Sequence, residues 1–153
     1  GINAKITVLF TSQEEVGLRG AKTGSFIGGV DEAICVDVSF AYTPSCKKSE
    51  CGEIGKGAMI GFSPILSNDM SRAMKNVAIK KGIAFQEEIM GGGHTGTDAD
   101  VISVSRCGIK TSLLSIPQKY MHSPVEVVNV NDIDSTAALI AEYVKQRVGD
   151  DNA

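Results

Sequence analysis

The chain has 153 residues, 42% of them hydrophobic and 22% charged, with a net charge of -3. That length and balance suit one globular domain with a real core, and they exclude a wholly disordered chain. The acidic balance, with no basic cluster larger than a pair such as Lys80-Lys81, argues against nucleic acid as a partner, and no apolar run is long enough to span a bilayer. Residues 1 to 12 lack a secretory signal, so a cytoplasmic location is expected. The chain opens on Gly1 and enters an apolar run almost at once, which reads as a piece of a longer protein.

Ala4–Thr11, "AKITVLFT", is rich in β-formers and predicts a buried strand. A short helix is expected from Gly17 to about Ile27. Glu32–Ala41 predicts a second strand, with Asp37 breaking its apolar run. Tyr42–Gly57 holds Pro, Ser, Cys, Lys and Gly and reads as a loop, and Ala58–Pro64 as a short strand. Asn68 can cap a helix to about Lys81, with Met70, Ala73, Met74, Val77 and Ala78 on one face and Gly82 as its stop. Ile83–Met90 is a strand, and "GGGHTGTDA", Gly91–Ala99, a flexible loop. Thr97 or Asp98 starts a helix to about Cys107. Lys110–Pro117 is a strand and Gln118–Pro124 a polar loop. Asp132 is expected to cap a last helix to about Val148, with Ile133, Ala137, Ile140, Ala141 and Val144 as its core stripe. Strands alternating with helices give an α/β layered, mostly parallel sheet with helices on both faces.

In such sheets, sites gather at the carboxyl ends of strands. The stretch "TSQEEVGLRGA" places Glu14 and Glu15 after the first predicted strand, Asp37 lies late in the second, and His122 follows the last. Two carboxylate oxygens and one imidazole nitrogen suit zinc, cobalt or manganese in a hydrolytic site, with the second glutamate free to act as general base. Adjacent residues on a straight strand point to opposite faces, so both glutamates reach one site only if the chain bends there. The alternative is a solvated, exposed pair. His94 is a substrate-side contact at most. "GGGHTGTDA" lacks the Gly-Lys-Ser/Thr ending of a phosphate-binding loop and reads better as a loop whose backbone approaches a substrate. Among Cys35, Cys46, Cys51 and Cys107 the spacing is irregular. Reduced thiols are expected, with Cys46 and Cys51 in "SCKKSEC" able to clip the loop or hold a metal.

"TSQEEVGLRGA", "DVSFA", "GKGAMI", "GTDAD" and "SIPQKYMHSPVEVV" resemble, in this order, stretches of the metal-dependent aminopeptidases of the glutamyl and tetrahedral type, some of which carry an endoglucanase label. The resemblance runs from Ile6 to Val144. It implies a zinc-peptidase-like catalytic domain of which residues 1–153 are the C-terminal portion. On that resemblance the PDZ-like dimerisation domain and the N-terminal catalytic segment are expected to be absent from residues 1–153. It implies two divalent ions, zinc or cobalt. Glu14 then resembles the general base, Glu15 and His122 ligands of one ion, Asp37 a ligand of the other, and Gly96, Thr97 and Asp98 a part lying near the substrate. It implies peptide substrates and homo-oligomers from dimers to dodecamers. The family's upstream His-x-Asp motif and its bridging aspartate are not among the 153 residues, so an incomplete fragment, weakly active or inactive, is expected. "PQKYMHS" departs from the family's more usual "PLRYMHS": Lys119 keeps the charge without the guanidinium fork. Two other readings compete. A glycosidase needs carboxyls on opposite sides of the bond, and aromatic platforms are scarce, at 5% with no Trp. A non-catalytic folded fragment would pack with itself through apolar surface.

Overall fold

The computed structural model describes residues 4–150, with Asp150 by its backbone alone. Its elements in chain order are α1 (Arg19–Gly28), β1 (Glu32–Phe40), a 3-10 turn (Lys48–Glu50), β2 (Ala58–Phe62), α2 (Asn68–Lys81), β3 (Phe85–Ile89), α3 (Ala99–Ile102), β4 (Lys110–Lys119), β5 (Val127–Val128) and α4 (Val130–Asp150). The sheet runs β1-β4-β2-β3, with β5 added to the end of β4. Nine residue pairs join β1 to β4 and five join β2 to β3, all parallel. The β2–β4 and β4–β5 ladders are antiparallel and short. The sheet is therefore mostly parallel, as expected, but its two halves run in opposite directions.

Strand alternation divides the core into two layers. On one face Ile60 and Leu114 meet Met74 and Val77 of α2 and Leu139 and Tyr143 of α4. On the other, Cys35 and Leu113 pack with Ala21 of α1 and Ala99 and Ile102 of α3. The α2 stripe falls where the sequence puts it, and Gly82 closes that helix in the left-handed conformation, its N–H on the Ala78 and Ile79 carbonyls. No helix among the described residues is long and apolar enough to cross a membrane.

Four expectations are corrected. Residues 4–11 form no strand: Ile6, Val8 and Phe10 are exposed, Phe10 at 93%. A β-rich run becomes a strand only when a neighbour accepts its hydrogen bonds, and none pairs with this one. The α4 stripe holds only in part: Ile140 and Val144 pack against the core as expected. Asp132, Thr136, Leu139 and Tyr143 are buried, while Ile133, Ala137 and Ala141 face outward. Nor does Asp132 cap the helix. The Asn129 side chain does so, accepting the Asn131 N–H at 2.9 Å. The helix after the glycine loop stops at Ile102, four residues long, and turns fill the rest of the way to Gly108.

Glu32, at the start of β1, ties the sheet to α4. It accepts the Tyr143 hydroxyl at 3.1 Å and pairs with the Arg147 guanidinium. Burial works to raise its pKa, but the Arg147 bond and charge and the Tyr143 bond outweigh it, and the carboxyl lies below the usual glutamate range. A depressed acid stabilises the fold above its unfolded pKa, and that contribution is lost as pH falls through the folded value. Glu32→Gln is therefore expected to lower stability at pH 7 by no more than about 1 kcal/mol, because the pair is partly solvated. Urea titrations of both proteins should converge below the folded pKa of Glu32.

Candidate active site

The two glutamates sit on a turn. The Glu14 carbonyl accepts the N–H of Gly17 at 3.1 Å and of Leu18 at 3.0 Å, and the N–H groups of Arg19 and Gly20 return to Gln13 and Ser12. This bend resolves the strand problem by bringing both carboxylates to one side. It needs Gly20, where a Cβ would stand 2.4 Å from the Ser12 nitrogen. It also holds Gln13 and Leu18 at positive φ, 59° and 56°. Tyr120 and His122, after β4, are likewise at φ 61°. Positive φ in such side chains is uncommon and carries backbone strain; among the described residues only Arg106, at φ 56°, shows it away from the two segments that supply the site.

β1 and β4 are parallel, so Asp37 and the turn bearing His122 emerge at the same end of the sheet. Glu14, Glu15, Asp37 and His122 line one cleft of about 360 Å³, with Gly96 and Thr97 on its rim. The His122 Nδ1 lies 3.7 Å from Glu15 Oε1, and both side chains are largely exposed. The His122 N–H donates to Glu126 Oε1 at 2.7 Å, which fixes the turn. Asp37 is more enclosed and accepts the Val38 N–H at 2.7 Å.

The site is electrostatically crowded. Burial, then the charges of Asp37, Glu15 and Asp98, lift the Glu14 carboxyl above its ordinary range, and His122 only partly opposes them. Burial also raises Asp37, the Val38 N–H pulls it back, and Asp98 and Glu15 push it further up. Two carboxyls raised by neighbouring carboxylates in this way suit a cation beside them. The donor set of carboxylate oxygens and one imidazole nitrogen fits a borderline divalent ion. The fit is pairwise: Glu15 and His122 face each other, and no three His, Cys, Asp or Glu side chains among the described residues converge on one point.

The glycine loop arrives differently from expectation. β3 runs against β4, so the loop leaves from the opposite end, yet Thr95, Gly96 and Thr97 reach the cleft. Asp100 gathers the loop by accepting Thr95 N–H at 2.6 Å and Gly96 N–H at 3.1 Å. The cap on α3 is the Thr97 hydroxyl, which accepts the Ala99 N–H at 3.2 Å. Asp98 makes no capping bond and does not line the cleft. Its Oδ1 is buried without a hydrogen-bond partner, and its charge acts on Glu14 and Asp37. His94 is exposed and outside the lining.

Sequence reasoning missed Ser39, Glu88 and Glu126. Glu88 of β3 accepts the Ser115 hydroxyl at 2.7 Å and the Ser39 hydroxyl, tying β1 and β4 together around Asp37. The one available signal was the charged Glu88 inside a strand pattern.

A family model described as M42 glutamyl aminopeptidase matches residues 1–139. The lysyl aminopeptidase of Pyrococcus furiosus is 39% identical over 143 residues, covering 94% of this chain and 41% of that protein. Aminopeptidase APDkam598 from Desulfurococcus kamchatkensis superposes with a TM-score of 0.81 at 34% identity, over 89% of this chain and 40% of that one. The TET1 peptidase of Pyrococcus horikoshii, which can assemble into a tetrahedron or a large octahedral shell, gives a TM-score of 0.64 at 36% identity, over 89% and 39%. The chain thus spans about two-fifths of the length of each relative.

Proposed function

The chain belongs to the M42 glutamyl aminopeptidase family, and from that premise we propose that its cleft is part of a metal-dependent aminopeptidase site that removes N-terminal residues from peptides. One observation carries the reading. Glu14, half-buried, sits among the charges of Asp37, Glu15 and Asp98 with His122 nearby on the same cleft. Glu15 and His122 would hold one divalent ion and Asp37 a second, zinc or cobalt in each case. Bound ions would supply Lewis-acid polarisation of the scissile carbonyl. Glu14 takes the proton of the attacking water and returns it to the leaving amine. The acidic wall suits the ammonium group of a free N-terminus, and Gly96 and Thr97 lie against the substrate backbone. As read here, the 153 residues are the C-terminal portion of such a catalytic domain. With three ligands divided between two ions, the chain alone is a weak catalyst. The glycosidase alternative is disfavoured because Glu14 and Glu15 share one turn and cannot flank a bond from opposite sides.

Calorimetric titration with zinc and with cobalt tests the site. Micromolar binding is expected, and it should vanish in the Glu15→Ala, His122→Ala double variant. Equal binding by both proteins would reject these ligands.

Self-association is the proposed partner behaviour. Ile6, Val8, Phe10, Phe26 and Ile27 are large apolar side chains left in solvent. Light scattering should give a mass above the monomer at high concentration, shifted down by Phe10→Ser with Phe26→Ser. A sharp monomer in the unchanged chain counts against it.

A further inference from the structure

The segment from Tyr42 to Gly57 joins β1 to β2 and carries two cysteines that the cleft does not use. Its base is pinned. Gly52 N–H donates to the Phe40 carbonyl at 2.9 Å and Tyr42 N–H to the Gly52 carbonyl at 2.7 Å. Cys51, next to Gly52, is thereby held beside the start of the loop. A turn folds Cys46 back to the same place: its N–H donates to the Thr43 carbonyl at 3.1 Å, and Thr43 N–H donates to its sulfur at 3.2 Å. The Ala41–Gly52 bridge and the Thr43–Cys46 turn thus bring the two cysteines together at the neck of the loop. Between them, Lys47–Glu50 and Lys48–Glu53 ion pairs at 3.0 and 3.1 Å steady the 3-10 turn.

We propose that Cys46 and Cys51 are a reversible dithiol–disulfide pair, oxidised by low-molecular-weight disulfides such as glutathione disulfide, that latches this loop beside the cleft. Cys46 is the attacking thiol. The Cys51 thiol beside it, then the Thr43 N–H, holds it below the ordinary thiol range, so it is the readier thiolate of the two. Burial first, then its bond and charge contact with Cys46, pushes Cys51 up to about 11, which makes it the resolving thiol. The Cys46 thiolate attacks one sulfur of the small disulfide, whose S–S bond breaks and releases one thiol. The Cys51 sulfur, giving up its proton to the second leaving thiolate, then attacks the Cys46 sulfur and breaks the mixed disulfide. Two protein thiols are oxidised and one small disulfide is reduced to two thiols. The ring closed runs only from Cys46 to Cys51, and a short loop gains little from closure, so the pair stays within reach of a glutathione pool.

The remaining cysteines differ. Cys35 is buried under the sheet, and burial, with Asp98, Asp37 and Asp100, pushes it up to about 12. Cys107 is exposed on another part of the chain. The latch matters because the loop is anchored on both sides of the cysteines: on Phe40, which lines the cleft, and beyond Cys51 on Gln86 of β3 through Glu53 and on Asp132 of α4 through Gly55 and Gly57. Oxidation stiffens the span between those anchors.

The test incubates the full chain in glutathione buffers of rising oxidised fraction, quenches with acid, alkylates and maps peptides by mass. A Cys46–Cys51 disulfide should accumulate and disappear again on reduction. Cys51→Ser should stop at a glutathione adduct on Cys46. Cys46→Ser should form its adduct on Cys51 at least about tenfold more slowly, following the smaller thiolate fraction. Hydrogen exchange over residues 43–51 should slow in the oxidised chain and not in the Cys51→Ser adduct. Adducts on both cysteines without the internal bond, bonding of either to Cys107, equal reactivity of the two thiols, or unchanged exchange would each overturn the proposal.

Discussion

Glu14→Gln is expected to cut whatever peptide hydrolysis the chain supports by about 10²–10⁴-fold, the usual contribution of a positioned general base. Glutamine keeps the shape of the side chain and removes only its ability to take a proton. The turn that presents it is built from backbone bonds, Gly17 and Leu18 N–H to the Glu14 carbonyl, so the fold survives the change. Uptake of zinc or cobalt should survive too, because Glu15, Asp37 and His122 are untouched. Removing a carboxylate from a crowd of four should even ease the repulsion on Asp37 and Glu15. The informative pair of measurements is turnover of an aminoacyl anilide and calorimetric cation binding on the same preparations. Lost turnover with intact binding supports Glu14 as base. Lost binding with it would make Glu14 a ligand, and unchanged turnover would remove it from the chemistry.

Local pattern carried much of the fold. The α2 stripe, its Gly82 stop and β1, β2, β3 and β4 all answer to signals within a dozen residues. What failed was non-local. Residues 4–11 have the composition of a strand, but strand formation depends on a partner, which a local window does not contain. Ile140 and Val144 of the α4 stripe were legible, but Asp132 and Thr136, which share the buried face, look like surface residues. Asp132 is buried because it meets Gly55 and Gly57, far away in sequence, while the Thr136 hydroxyl turns back onto the Asp132 carbonyl. In the site, Glu14, Glu15, Asp37, Gly96, Thr97 and His122 were legible, and the cleft brings them together. Asp98 was read as near the substrate and as a cap. It is not among the side chains lining the cleft, and the Thr97 hydroxyl does the capping. Glu88 was invisible as a site residue because its role, bridging Ser39 and Ser115, depends on the strand order.

Asp132→Ala is expected to cost about 3 kcal/mol, and to lower Tm by about 6–12 °C for a domain of this size. The side chain is 1% exposed and accepts two backbone N–H groups, Gly55 and Gly57, each at 2.7 Å. Alanine leaves both donors without their acceptor: Gly57 is buried, and an unmet buried donor costs about 1–3 kcal/mol, while the exposed Gly55 loses a charge-assisted bond. The loop cannot easily turn them elsewhere. Gly57 has φ 90°, and a Cβ there would stand 2.0 Å from the Ala84 carbonyl oxygen, so this backbone is already wedged against the start of β3. Asp132→Asn should lose nearly as much, since one carboxylate oxygen becomes an NH₂ facing an N–H. Urea denaturation measures the cost, and hydrogen exchange at Gly55 and Gly57 locates it. A loss under about 1 kcal/mol, with both amides still protected, would mean that water replaces the carboxylate and the anchor is dispensable. Cation binding gives a second readout. Glu14 and Glu15 are held by their own turn against Ser12 and Gly20, and His122 by Glu126, neither of which touches Asp132. A destabilised Asp132→Ala chain that still binds zinc at temperatures below its transition would show that the loop and the cleft are scaffolded separately.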